Sequence, residues 1–138
     1  MPGNQNAPPG RPGVRIHFTL PLAPSKNHSH VTYIDKKTKR QRRGPTTKTK
    51  KWTMDAQSVA GIEARACGWT CTQKQEVEIM LVVYFPDHRR RDAHNQEMVL
   101  FDALQGVIYD DDCYIIEHTT RKMYDKDSPR MEVTVTRT

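Results

Sequence analysis

The sequence predicts an α+β fold in which two main helices pack on one mixed sheet within a single compact domain. Its length of 138 residues suits one hydrophobic core and is short for two. Strand-like and helix-like patterns follow one another in the order strand, helix, strand, helix, strands. That order is typical of a sheet with helices on one face, although it leaves the order of the strands within the sheet open.

The strand predictions rest on period-two alternation of apolar and polar side chains. Residues 14–20 alternate in this way and are followed by prolines, which end a strand. Residues 75–85 carry apolar side chains on both faces, which predicts a central strand. The remaining predictions are a short extended piece at 107–109 and strands at 115–123 and 131–136.

Two stretches have helical periodicity. The first covers residues 52–67 and ends at Gly68. Its predicted buried stripe consists of Met54, Val59, Ile62 and Ala66, with Ala56, Ala60 and Ala64 filling it. The second helix covers residues 95–104 and ends at Gly106. Its predicted buried residues are Val99, Leu100, Ala103 and Leu104. Trp52 and Trp69, at the ends of the first helix, are expected to anchor the core rather than to stack on bases.

The charge of the chain predicts an anionic partner. Its formal net charge is +6 and its pI is near 9.4, and clustered Lys and Arg gain affinity for a polyphosphate by releasing counterions. Nucleic acid is therefore favoured over an anionic membrane surface. No apolar run is long enough to span a bilayer, and residues 1–13 lack the apolar core of a signal peptide. We expect no membrane partner and a cytoplasmic location.

The composition also divides the chain. Residues 1–13 are rich in Pro, Gly and Asn, which predicts a disordered tail before a domain at 14–138. The three cysteines, Cys67, Cys71 and Cys113, are expected to be reduced thiols, because an odd number does not form the framework of a small secreted fold. A structural zinc site is disfavoured, since no second ligand pair follows Cys67 and Cys71.

The most basic stretch, residues 36–51, is predicted to be a flexible loop. Nine of its sixteen residues are Lys or Arg, and such a run repels itself. It could be a solvated loop, a localisation-like signal or an arm that grips DNA phosphates. We favour the arm because the chain also carries a candidate metal site. The cations of this stretch are Lys36, Lys37, Lys39, Arg40, Arg42, Arg43, Lys48, Lys50 and Lys51.

Acidic residues and a histidine form that candidate site. Asp92 and His94 lie two apart after the central strand, so their side chains can point the same way. Asp110, Asp111 and Asp112 follow the second helix, and a short antiparallel return could bring one of them beside Asp92. Mg²⁺ prefers oxygen ligands, and an imidazole shifts the preference toward Mn²⁺. Such a metal polarises a phosphate and activates water for phosphodiester hydrolysis.

The residues around Asp92 leave two interpretations open. Arg89, Arg90 and Arg91 directly precede it and can hold a phosphate in bidentate fashion, as a nuclease requires. Alternatively, Asp92 or Asn95 caps the helix and the acidic triplet is a solvated turn.

These residues resemble the RusA family of Holliday junction resolvases. The shared motifs are Arg-Arg-Arg-Asp-Ala-His-Asn at 89–95, Asp-Ala-Leu at 102–104 and Asp-Asp at 111–112. The resemblance extends over about residues 14–136 through the order of elements and through Phe18-Thr19-Leu20-Pro21, Pro24-Ser25-Lys26-Asn27 and Lys122-Met123.

The resemblance implies a homodimeric, Mg²⁺-dependent endonuclease, with Mn²⁺ as an alternative metal. Such an enzyme binds four-way junctions and other branched DNA by structure and makes paired nicks in opposing strands, in recombination and repair. The resemblance also suggests a bacterial or phage-encoded protein. It implies that Asp92 and Asp112 are catalytic carboxylates, and the predicted metal ligands are Asp92, His94, Asp111 and Asp112.

Two departures from the family pattern bear on catalysis. The family tends to place Asp where this sequence has His94 and Lys where it has Met98. An imidazole can still bind metal or take a proton, whereas Met98 cannot neutralise phosphate. We hypothesise that Lys122 or one of the arginines at 89–91 supplies the missing cation, which gives a predicted catalytic set of Asp92, His94, Asp112 and Lys122. The alternative is a protein of the same fold that binds junctions without cutting them; an RNA-binding module ranks last, because the sequence lacks the signatures of such modules.

Overall fold

The computed structural model describes residues 14–25 and 30–138, so the predicted tail at 1–13 lies outside the described residues. No helix in this part of the chain has both the length and the apolar character needed to cross a membrane. The strands are β1 (Arg15–Leu20), β2 (His30–Ile34), β3 (Gln41–Pro45), β4 (Val77–Phe85), β5 (Ile115–Tyr124) and β6 (Arg130–Arg137). The helices are α1 (Thr47–Cys67) and α2 (Ala93–Leu104), with a 3-10 turn at Asp112–Tyr114.

The main sheet has four strands in the order β1-β6-β4-β5. β6 is antiparallel to both β1 and β4, whereas β5 is parallel to β4. The sheet is therefore mixed, as predicted, and β4 is central because it pairs on both sides. Parallel neighbours need a crossover connection, which here contains α2. β5 lies at the end of the strand order, so in the described part of the chain one of its edges has no strand partner.

Both helices pack on one face of this sheet. Alternate residues of β1, β4 and β6 are buried there, and they form one apolar cluster with residues of α1 and α2. The predicted buried face of α2 is confirmed, since Val99, Leu100, Ala103 and Leu104 all lie in this cluster. Burial of a continuous apolar face is the main contribution to the stability of such a layer.

The buried face of α1 differs from the predicted stripe. Met54 and Ile62 are 67% and 59% exposed, whereas Ala56, Ala60 and Ala64 are buried. The three alanines recur every four residues and therefore share one face of the helix, and their small side chains let the helix approach its neighbours closely. The larger apolar residues lie outside that face, so the prediction that they form the core stripe was wrong.

The two tryptophans anchor the core, as predicted. The indole Nε1–H of Trp52 donates a hydrogen bond to the carbonyl oxygen of Pro21 at 2.9 Å. That of Trp69 donates to the carbonyl oxygen of Ile108 at 3.0 Å. Both rings are buried, which leaves neither of them free to stack on a base.

The basic stretch is not the loop that its charge predicted. β2 and β3 form an antiparallel hairpin, here called the basic hairpin (residues 30–45), and its turn covers residues 35–40. Asp35 stabilises the turn by accepting hydrogen bonds from the N–H groups of Lys37 and Thr38 at 2.8 and 3.1 Å. α1 then begins at Thr47 instead of 52, because the hydroxyl of Thr46 caps it by accepting from the N–H of Thr49 at 3.2 Å.

The remaining boundaries are close to the predicted ones. α2 begins at Ala93, two residues before the predicted start, with Asp92 as its N-cap. Gly68 ends α1 in the left-handed conformation with φ of 77°, a conformation that glycine adopts without strain. Of the predicted extended piece at 107–109, residues 107 and 108 lie in a turn after α2, whereas Tyr109 forms isolated β-bridges to Thr72 and Gln105.

Candidate active site

The loop between β4 and α2 carries the first part of the candidate site, here called the Asp92 end. Oδ1 of Asp92 accepts a hydrogen bond from the N–H of His94 at 2.9 Å, so of the two residues considered as helix caps in the alternative interpretation, Asp92 is the one that caps α2. Capping and metal binding are compatible, because a carboxylate has a second oxygen. The N-terminus of a helix also favours negative charge. The side chain of His94 is exposed in the first turn.

Arg91 and Lys122 are fixed at the Asp92 end. The Nη1 of Arg91 lies 2.5 Å from Oδ1 of Asp87, and this hydrogen bond holds the pKa of Asp87 below its ordinary value. The Nζ of Lys122, on β5, donates to the carbonyl oxygen of Arg91 at 2.8 Å. It also lies 5.4 Å from the ring centre of Phe85. The structure thus brings Lys122 to the loop that carries Asp92.

A cleft of about 710 Å³ opens beside Asp92. One wall is the segment after β1, which the side chain of Gln96 holds against α2: its Oε1 accepts from the N–H of Ala23 at 2.8 Å, and its Nε2 donates to the carbonyl oxygen of Ala23 at 2.9 Å. The residues that line the cleft are Leu22, Ala23, Ser25, Phe85, Arg90, Arg91, Asp92, Asn95 and Gln96. Sequence reasoning did not identify Gln96, since a buried glutamine carries no signal of its own.

A second cleft continues from the first toward α1. It shares Leu22, Ala23 and Ser25 with the first cleft and is also lined by Lys48 and Lys51. A groove therefore leads from Asp92 to cations in the first turns of α1. Lys50 is exposed on the same turns.

The other predicted cations lie on the basic hairpin and before Asp92. Arg42 is paired with Asp35, with 3.1 Å between its Nε and Oδ2. Arg89 and Arg90 are exposed, and the Nε of Arg89 lies 3.7 Å from Oδ2 of Asp87. The remaining hairpin cations are exposed: Lys36, Lys37, Lys39, Arg40 and Arg43.

The acidic triplet forms a second cluster, here called the Asp112 end. The N–H of Asp112 donates to Oε1 of Gln105 at 3.2 Å. Desolvation raises the pKa of Asp112, and the neighbouring carboxylates of Asp111 and Asp102 add to the rise. The pKa of Asp111 is lowered, because its carboxylate accepts a hydrogen bond from the N–H of Cys113 at 2.9 Å. Asp110 is engaged elsewhere, since its Oδ2 accepts from the N–H of Lys74 at 2.9 Å.

One chain does not bring Asp92 and Asp112 together. The expected antiparallel return is wrong, because β5 runs parallel to β4: Asp92 follows the end of β4, whereas Asp112 precedes the start of β5. The twelve residues of α2 separate the two ends by about 18 Å at 1.5 Å per residue. Within residues 14–25 and 30–138, no group of three or more His, Cys, Asp or Glu side chains is arranged to hold a metal ion.

Sequence reasoning missed three residues between α2 and β5. Glu97 is only 5% exposed, its Oε1 lies 2.6 Å from Nδ1 of His118, and its Oε2 accepts the hydroxyl of Thr120 at 3.0 Å. The sequence of β5 did contain a pattern that could have indicated His118 and Thr120, because residues 118, 120 and 122 share one face of the strand and all three are polar. It could be interpreted only once the packing of α2 on that face was known.

The site combines carboxylates with arginines and a lysine, and its groove leads to further cations. This combination is suited to hydrolysis of a polyphosphate. The family model described as Endodeoxyribonuclease RusA matches residues 21–136, which is nearly the whole chain. The protein therefore belongs to the RusA family of endonucleases, whose members resolve Holliday junctions. A search of curated proteins found no match.

The exposed cations of the basic hairpin lead to a prediction on DNA binding. Changing Lys37→Gln is expected to make the slope of log K against log salt less negative by about 0.9 if this lysine neutralises one phosphate. The slope can be measured by fluorescence anisotropy of a labelled four-way junction over a range of salt concentrations. Arg65→Gln, in the last turn of α1 and distant from the groove, is the matched control. An unchanged slope for Lys37→Gln would contradict a role for this lysine in binding.

Proposed function

We propose that this protein is a metal-dependent endonuclease that cuts four-way DNA junctions by paired nicks, and that two copies of the chain assemble each active site. One observation carries the proposal: the Asp92 end and the Asp112 end lie at opposite ends of α2. Each end holds too few ligands alone, and together they hold the residues that match the family motifs. Membership of the RusA family supports the junction as substrate.

The residues at the two ends suit Mg²⁺. Their donors are carboxylate oxygens, which Mg²⁺ prefers, and His94 would make Mn²⁺ an acceptable alternative. Desolvation raises the pKa of Asp112, the carboxylates of Asp111 and Asp102 add to the rise, and a bound cation would offset the part that comes from these negative charges. When bound, the metal neutralises charge on the scissile phosphate and provides an activated water. Asp92 and Asp112 would hold it, with His94 and Asp111 beside them.

The cations at the Asp92 end would bind and orient the DNA backbone. Arg90 and Arg91 line the cleft and can hold phosphate oxygens on either side of the bond to be cut. Lys122 is fixed beside them through the Arg91 carbonyl oxygen, so its ammonium could stabilise negative charge that develops on the phosphate. This would supply the positive charge that Met98 lacks.

The edge of β5 that has no strand partner among residues 14–25 and 30–138 supports a symmetric pair of chains. β5 leads from the Asp112 end to Lys122 at the Asp92 end. Antiparallel pairing with β5 of a second copy would therefore bring the Asp112 end of each chain toward the Asp92 end of the other. A two-fold interface of this kind is self-complementary, and exposed strand edges are ready partners for such pairing. The dimer would hold two equivalent sites, as two nicks in opposing strands require.

Metal-dependent cutting is tested with a synthetic four-way junction on denaturing gels. We expect nicks in opposing strands with Mg²⁺ or Mn²⁺, and loss of at least about 10²-fold in rate for Asp92→Asn, because Asp92 would hold the metal that stabilises the transition-state charge. Asp127→Asn, in the exposed turn before β6, is the control and should cut normally. Tight binding of the junction with intact strands in every metal would contradict the enzyme and favour a junction-binding protein of the same fold.

The hypothesis that Lys122 replaces the cation missing at Met98 gives a second prediction. Met98 is 56% exposed and uncharged, so Met98→Lys adds a charge without disturbing the core. We expect Lys122→Gln to lower the single-turnover cleavage rate by about 10²-fold, while Met98→Lys leaves it nearly unchanged. A large gain in rate for Met98→Lys would show that the position still lacks its cation.

A further inference from the structure

Glu97 is a buried carboxylate that the proposed function leaves without a role. It lies on α2, one turn after His94, and is 5% exposed. A carboxylate is rarely buried to this extent unless it is paired, since removing the charge from water is costly. The contacts of Glu97 should therefore show what offsets the cost of burying its charge.

Two side chains of β5 hold the carboxylate of Glu97 in place. Nδ1 of His118 lies 2.6 Å from Oε1, and the hydroxyl of Thr120 donates to Oε2 at 3.0 Å. Each oxygen thus has a partner from the edge strand, and the carboxylate group is fixed in both position and orientation. A carboxylate held in this way is prepared to orient another group that comes within reach.

His94 is that group. Its Nδ1 lies 3.6 Å from Oε2 of Glu97, while the rest of its side chain is exposed. An imidazole that turns an Nδ1–H toward a carboxylate carries its lone pair on Nε2. In this chain the lone pair would then lie on Nε2 of an exposed side chain, two residues after Asp92, the N-cap of α2.

We propose that Glu97 is a positioning residue for His94. It fixes the proton of His94 on Nδ1, so that Nε2 can bind the divalent cation of the site. It also returns negative charge to the position where the family tends to have Asp. Histidines that bind metals commonly donate their other N–H to a carboxylate, and loss of that carboxylate typically costs about 10- to 100-fold in metal affinity. The inference rests on the proposed function, because it assumes a cation at the Asp92 end.

Glu97 also ties α2 to β5, and a purely structural role must be told apart from positioning. The two roles differ when His94 is replaced. If Glu97 acts through the imidazole, replacing Glu97 should weaken binding of the divalent cation only while His94 is present. If it only holds α2 on the strand, the cost of losing it should be the same with or without His94.

The test is a double-mutant cycle on the full chain with Glu97→Gln, His94→Asp and the pair. Binding of Mn²⁺ alone, without DNA, is followed by the EPR signal of the free ion. We expect Glu97→Gln to weaken Mn²⁺ binding about tenfold or more in the otherwise unaltered chain. In the His94→Asp background the same change should cost nothing or improve binding, since the introduced carboxylate repels Glu97. Equal losses in both backgrounds would overturn the proposal.

A second variant and a second measurement separate this inference from the proposed function. Thr120→Val removes one hydrogen bond to Glu97 but leaves the charge, and should weaken Mn²⁺ binding much less than Glu97→Gln. Long-range ¹H–¹⁵N NMR of the metal-free protein, at a pH where the imidazoles are neutral, reports the tautomer of His94 directly. A proton on Nε2 would overturn the positioning role even if the protein cuts junctions. A proton on Nδ1 that Glu97→Gln releases would support it even if the protein does not cut.

Discussion

The parallel pairing of β4 with β5 determines where the residues of the candidate site lie. Two parallel neighbours cannot be joined by a tight turn, so the chain crosses back through α2. That helix carries Asp92 at its start and is followed by the acidic triplet after its end. The same crossover that builds the sheet therefore separates the two acidic clusters by the length of a helix. Under the proposed function, this separation is what makes a second copy of the chain necessary.

Local patterns in the sequence predicted most of the secondary structure but not how it is arranged. Local patterns identified β1, β4, β5 and β6, and the apolar side chains on both faces of β4 placed it at the centre, because these signals are local. The same alternation occurs in parallel and antiparallel strands, so it could not reveal that Asp112 begins β5 at the end away from Asp92. The basic hairpin was missed because nine like charges suggest self-repulsion, and the turn depends on one residue, Asp35, that pairs with Arg42.

The candidate site likewise contains residues that a local motif identifies and residues that only tertiary packing brings together. Asp92, His94 and the arginines at 89–91 lie within one short motif and could be recognised from it. Glu97, His118 and Thr120 meet only because α2 packs against β5, and no sequence spacing relates them. In α1, hydrophobicity predicted Met54 and Ile62 as core residues. In the structure the buried face is instead formed by alanines, whose small side chains allow close packing.

Each of the two departures from the family pattern, at His94 and at Met98, removes a charge. For each of them the structure holds a side chain that can supply that charge. Lys122 reaches the loop of Asp92, which supports it as a replacement for the charge absent at Met98. Glu97 lies within 3.6 Å of His94 and can return the negative charge that an imidazole lacks. Both compensating residues lie outside the motif at 89–95, and the fold brings each of them to it through β5 or the first turns of α2.

A mixture of Asp92→Asn and Asp112→Asn chains tests whether each active site draws on two chains. Each variant alone should be inactive, because every site lacks one carboxylate. Mixed dimers, isolated with two different affinity tags, should contain one site with both carboxylates intact if each site draws on two chains. They should then nick one strand of a four-way junction in the presence of Mg²⁺. If each site is built within one chain, the mixed dimers hold no intact site, and their complete failure to nick would contradict the account.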